Sequence, residues 1–155
     1  MNITLGTVGI VQNTRTDPGD TDHWGDVISA ILIDERFPED CLQGLEEFSH
    51  VEVLYHFHQA QERPDYHARP PRGRSDLPAV GVFADRGPRR PNRIGATVCR
   101  VLSAERRQLT VRGLDAVDGT PVIDLKPVMR QFLPTGLRQP PWVEALMAEY
   151  FMPRR

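Results

Sequence analysis

Apolar and polar positions alternate most clearly over residues 51–58, where Val53, Tyr55 and Phe57 interleave with Leu54, His56 and His58. A period of two places the two sets on opposite faces of a strand. Shorter β-branched or apolar runs predict further strands at 4–11, 27–33, 79–84, 97–102, 108–114 and 122–125. The runs at 97–102 and 108–114 are joined by a charged five-residue turn and predict a hairpin. Helical spacing is rarer. Leu42, Leu45 and Phe48 predict one or two helical turns within 38–48. Trp142, Leu146 and Tyr150, with Val143, Met147 and Phe151 beside them, predict a helix over 142–151, after the break at Pro140-Pro141. Strands spaced this closely, with little helix between them, predict a mainly β, antiparallel, barrel-like sheet rather than a βαβ fold.

The chain has 155 residues, enough for one domain, and its 39% hydrophobic and 26% charged content is that of a folded globular protein. No apolar run reaches the roughly 18 residues of a membrane-spanning helix. Met1 to Val11 lacks a basic stretch followed by an apolar core, so a cytoplasmic location is expected. Cys41 and Cys99 are too few for a disulfide framework or a zinc ribbon, and are expected as reduced thiols. The net charge of −2 is unevenly spread: residues 1–68 carry −10, 69–100 carry +6 and 101–155 carry +2. Of the 19 basic residues only Lys126 is a lysine. An arginine-dense segment of this kind suits phosphate, carboxylate or RNA.

The nucleotide-binding and hydrolase signatures are missing: there is no Gly-rich phosphate loop, GxSxG, HExxH or CxxC. His56 and His58 stand about 7 Å apart along a strand face. That pair fits a polar pocket, a ligand contact made together with Gln59, or, given a third ligand from His23, His50 or His67, a metal. No metal is the expectation. Gly81 to Gly95 sets four arginines among prolines and glycines, a loop that is rigid yet sharply bent. Asp118-Gly119 is turn chemistry, and Asp124 with Lys126 suits a surface ion pair.

Three stretches together resemble the TsaA-like (TrmO, or YaeB-like) family. They are GLEEFSHVEVLYHFHQ at 44–59, GVFADRGPRRPNRIG at 81–95 and LDAVDGTPVIDLKPV at 114–128. The resemblance extends over about residues 5–130 and implies a compact single-sheeted β-barrel with short helices. Residues 1–135 would form that domain, and 136–155 a C-terminal helical extension. The family includes a tRNA N6-threonylcarbamoyladenosine-37 N6-methyltransferase that uses S-adenosylmethionine (SAM). The resemblance therefore implies a SAM-dependent methyltransferase acting on tRNA, and a homodimer. The SAM contacts it implies are His58, Gln59, Arg86, Ala96 and the segment Leu114, Asp115, Ala116, Val117, Asp118 and Gly119. Direct methyl transfer to an amide-conjugated nitrogen calls for a base or polarising group, with His56, His58, Asp85 and Asp118 as candidates. Arg89, Arg90 and Arg93 are the candidate contacts to RNA phosphates.

The chain departs from the family at the N-terminal loop, where a Pro-Arg-Gln motif is replaced by Thr21-Asp22-His23-Trp24-Gly25-Asp26. There Trp24 is a candidate to stack on adenine, with Asp22 or Asp26 to bind ribose hydroxyls and His23 beside them. Asp85, Gly87 and Arg93 also replace the family's Thr, Ser and Pro. These departures keep a second reading open, a SAM- or small-molecule-binding module that methylates nothing, and behind it a metal enzyme built on the His-x-His pair.

Overall fold

In the computed structural model, which describes residues 1–154, six strands close into a barrel. They are β1 (Gly9–Gln12), β2 (Ile28–Ile33), β3 (His50–His56), β4 (Ile94–Glu105), β5 (Gln108–Arg112) and β6 (Pro121–Pro127), and one helix, α1 (Trp142–Met147), follows. Around the barrel the order is β1-β2-β5-β4-β3-β6, and every neighbouring pair is antiparallel. This is the expected mainly β barrel with short helical turns.

The period-two pattern sets what faces inward. Val51, Val53 and Tyr55 of β3 join Val11, Ile31, Cys99, Leu109, Val111 and Val122 in one buried cluster. Each fully buried aliphatic side chain of this kind stabilises the fold by about 1.5–3 kcal/mol. Gly95 lies opposite Tyr55, and a Cβ at that position would stand 2.4 Å from the tyrosine ring. The ring therefore occupies the volume that a side chain on β4 would need.

The antiparallel order gathers six strand ends at one rim. β1, β3 and β5 finish there, and β2, β4 and β6 begin there. That rim carries the loops 13–27, 57–93 and 113–120, which hold almost every candidate site residue. At the opposite rim β4 and β5 are joined by Arg106 and Arg107 alone.

Several elements differ from expectation. The 79–84 run is not a strand: Val80 pairs only with Arg69, and Val82–Ala84 coils into a 3-10 turn. A closed barrel offers a seventh strand no free edge. β1 starts at Gly9 rather than Thr4, because its partner β2 ends at Ile33, opposite Gly9. β4 continues to Glu105, paired with Gln108, so the expected five-residue turn shrinks to two residues; Arg106, at φ 52°, makes the connection. Residues 38–48 form turns and a single 3-10 turn, Leu45–Glu47, which follows Gly44 at φ 88°. β3 stops at His56, so His58 leaves the strand through a bend in which its N–H donates to the His56 carbonyl at 2.7 Å. The helix ends at Met147 rather than Phe151. The carbonyls of Glu149 and Tyr150 instead accept from the backbone N–H groups of His23 and Trp24, at 3.0 and 2.8 Å.

Candidate functional site

Asp115 lies at the centre of the rim. Its Oδ1 accepts from the Tyr55 hydroxyl at 2.9 Å and from the Thr97 hydroxyl, and its Oδ2 accepts from the Tyr150 hydroxyl. Burial, and then the Asp115 carboxylate, push both tyrosine hydroxyls above their ordinary range, so both remain protonated donors at neutral pH. The barrel wall thus holds one carboxylate oxygen, and the C-terminal segment caps the other. Arg86 reaches the same place, donating through Nη2 to the carbonyl of Ala96, next to Thr97. The candidates Arg86, Ala96 and Asp115 therefore converge.

The turn 114–119 serves partly as core. Leu114 and Ala116 are buried in the hydrophobic cluster, so only their backbone faces the rim. Asp118 anchors the start of the N-terminal loop: its Oδ1 accepts from the Asn13 N–H at 3.0 Å, and its own N–H donates to the Arg15 carbonyl at 2.7 Å. The Asn13 side-chain amide continues that brace to Ser29 and to the Ala116 carbonyl. Gly119, at φ 76°, faces His58, whose Nε2 lies 3.9 Å from where a Cβ would be. The Gln59 amide donates to that same nitrogen at 3.3 Å. His58, Gln59 and Gly119 form the second half of the site. The Val117 carbonyl accepts from the Thr120 hydroxyl at 2.7 Å, which closes the turn that carries Gly119.

His56 sits at the end of β3, opposite Ile94. Burial, then Arg93 and His58, hold its pKa below the ordinary 6.5, so the imidazole is neutral at pH 7 and can accept a proton. Asp85 faces its own loop, where Oδ1 accepts from the Arg86 N–H at 2.7 Å.

The arginines of the loop divide by role. Arg90 donates to the Asp85 carbonyl at 2.8 Å and Arg93 to the Ala60 carbonyl at 3.0 Å, so both brace the loop from within. Arg89 is exposed and has no hydrogen bond or ion pair among the described residues. Residue type alone does not separate these three; the carbonyls they meet come from the folded path of the loop.

The N-terminal loop is pinned rather than open. Trp24 is 3% exposed, with the Arg15 guanidinium 4.0 Å above its ring, so its indole packs in the interior and offers adenine no free face. Arg15 also donates to the carbonyls of His23 and Asp22, at 2.9 and 2.8 Å. Asp22 is held by Arg72 at 3.1 Å, and the Arg72 guanidinium lies 5.5 Å from the Tyr150 ring. His23 donates through Nδ1 to the Met152 carbonyl at 3.2 Å. Asp26 has no side-chain partner among the described residues.

Sequence reasoning missed Tyr55, Thr97, Arg15, Arg72 and Tyr150. For Tyr55 and Thr97 a signal existed: both are polar groups at inward positions of strands, and a buried hydroxyl calls for a partner. Among the described residues, no group of three or more His, Cys, Asp or Glu side chains is placed to hold a metal ion, and the His56–His58 pair gathers no third ligand. No described helix is long and apolar enough to cross a membrane.

Residues 10–132 match the family described as the tRNA-methyltransferase O N-terminal domain. A mouse tRNA (adenine(37)-N6)-methyltransferase is 41% identical over 95 residues, 61% of this chain and 22% of that one. A probable S-adenosyl-L-methionine-binding protein of Methanothermobacter thermautotrophicus is 41% identical over 132 residues, 82% of this chain and 90% of that one. The crystal structure of TrmO from Pseudomonas aeruginosa superposes with a TM-score of 0.73 at 28% identity, over 89% of this chain and 61% of that chain. The chain spans well under half the length of the bacterial and mammalian curated relatives that it matches. With its family match over 10–132 and its barrel shared with that crystal structure, the chain belongs to the tRNA-methyltransferase O N-terminal domain family.

Proposed function

We propose that this chain binds SAM at the rim around Asp115 and transfers its methyl group to N6 of a modified adenosine in the tRNA anticodon loop. The observation that carries the reading is the convergence of Arg86, Ala96 and Asp115 on one side of the rim with His58, Gln59 and Gly119 on the other. These groups suit the chemistry of SAM. Arg86 offers a guanidinium to a carboxylate, Asp115 the one lone pair of Oδ2 left beside Tyr150 to an ammonium or hydroxyl donor, and His58 with Gln59 both donors and acceptors. When bound, SAM supplies an electrophilic methyl group on a sulfonium centre. The residues around it do the positioning, and in a displacement of this kind alignment lowers much of the barrier. His56, neutral at pH 7, is the base we assign to the departing N6 proton.

The test is calorimetric titration of SAM into wild-type protein and Arg86→Ala, followed by transfer of labelled methyl to tRNA. Losing a charge-assisted contact is expected to weaken binding about tenfold or more. Equal affinity of the two proteins would overturn the assignment of this rim. The second reading is a SAM-binding module without methylation. It is supported by the archaeal relative of matching length, whose name gives SAM binding, and by the pinned N-terminal loop. Binding without label transfer to any tRNA would favour it.

A further inference from the structure

We infer that a groove on the outer barrel wall, lined by His50, Arg100, Arg112 and Phe151, binds the phosphate backbone of single-stranded RNA on its way to the rim. The inference rests on the tRNA reading above and adds a surface whose two arginines and Phe151 lie outside the three sequence motifs.

Register builds the groove. His50 of β3 pairs with Arg100 of β4, and Arg100 pairs in turn with Arg112 of β5. The three side chains therefore form a row across three strands. Inward positions on these strands belong to Val51, Cys99 and Val111, so the row points out of the barrel. Directly opposed like charges on neighbouring strands destabilise a sheet. Here nothing offsets that cost within the protein: neither arginine has an ion pair or a side-chain hydrogen bond among the described residues. Residues lining the groove are Gly25, His50, Val98, Arg100, Arg112, Gly113 and Phe151, with no carboxylate among them. Both arginines are exposed. An uncompensated pair of guanidinium groups calls for an anion from outside.

Two further features favour a nucleic-acid strand over an isolated anion. Val98 and Phe151 are each 49% exposed at the same groove, and an aromatic ring beside a cationic track lets a base stack while its phosphates are held. The groove also leads to the site: Gly113 immediately precedes the 114–119 turn that holds Asp115, and Gly25 lies in the pinned N-terminal loop. The groove wall is close-packed there, since a Cβ on Gly25 would fall 1.8 Å from the Phe151 carbonyl oxygen. Phe151 is thus held in place beside the arginine row.

The test compares wild type with the Arg100→Gln/Arg112→Gln double variant in binding a fluorescent anticodon stem-loop RNA by anisotropy, with SAM titration in parallel. RNA affinity is expected to fall about tenfold while SAM affinity stays within about twofold. Melting temperature is expected to hold or rise, because the variant removes a repulsion. A merely structural role for the two arginines would lower it. Arg100→Lys/Arg112→Lys keeps the charge and should retain most of the RNA affinity, and Phe151→Ala should lose several-fold. Unchanged RNA affinity in the Gln variant, with wild type binding RNA, would overturn the groove and leave the tRNA reading intact. Failure of wild type to bind RNA while still binding SAM would overturn the tRNA reading, and the groove with it.

Discussion

Three hydroxyls meet on one carboxylate at Asp115, and their origins explain why the site sits where it does. Tyr55 and Thr97 come from the neighbouring strands β3 and β4 and hold Oδ1 of this loop residue, whereas Tyr150 comes from a segment 35 residues further along the chain. His56 stands nearby with a different electrostatic task. Its charged form is disfavoured in the folded state, by burial first and then by Arg93. The unfolded chain therefore takes up a proton at this residue near pH 6.5, while the folded chain does so only at lower pH. The stability this group contributes is complete above the unfolded value and is lost as pH falls from there through the folded value. Thermal unfolding followed from pH 7.5 down to 5 should show a steeper fall in melting temperature for wild type than for His56→Gln. Parallel curves would show that His56 titrates alike in both states.

The loop 85–93 works as a braced element. Pro88 and Pro91 stiffen it, and Asn92 and Arg93 occupy positive φ at 62° and 49°. Arg90 and Arg93 then tie it to the Asp85 and Ala60 carbonyls. Arg86 depends on that brace to reach the Ala96 carbonyl, whereas Arg89 does not take part in it. The two neighbours are therefore expected to separate on substitution. Arg90→Ala should weaken SAM binding several-fold through Arg86, because an unbraced loop must be ordered on binding. Arg89→Ala should leave SAM binding unchanged and lower RNA affinity. Calorimetry and anisotropy on the two variants check this, and identical profiles would remove the distinction.

Across the whole molecule the two chain directions meet at one rim. β6 leaves the barrel at the opposite rim, yet residues 149–152 return to the site and bond to the loop at 23–24. The chain end is thereby coupled to the site through Tyr150 and Arg72. Removing residues 149–155 deletes the two backbone hydrogen bonds to the 23–24 loop, the His23 Nδ1 bond to the Met152 carbonyl, the Arg154–Asp20 ion pair and the partner of Asp115 Oδ2. With a net value near 1 kcal/mol for each bond, melting temperature is expected to fall by several degrees. Hydrogen exchange at the His23 and Trp24 amides should accelerate at least tenfold, and exchange rates equal to wild type would show that the segment is not held.

The sequence by itself determined the barrel wall and the composition of its rim. Strict alternation at Val51, Val53 and Tyr55 decides which face is buried, since a strand has only two faces and one must leave water. The motifs at 44–59, 81–95 and 114–128 likewise named Arg86, Asp115 and His58 from residue identity and order. Tertiary structure alone decided the remainder, because it depends on residues far apart in sequence. The 79–84 run has the composition of a strand but finds no edge in a closed barrel. Trp24 suits stacking on a base by type, yet Arg15 covers it. Tyr150 belongs to a helical stripe by spacing, but the helix ends at Met147, and the Glu149 and Tyr150 carbonyls bond to the distant N–H groups of His23 and Trp24 instead. Arg100 and Arg112 are ordinary surface arginines until strand register sets them face to face. Local pattern fixes which side of an element is buried, and register and chain return fix which residues come to share a site.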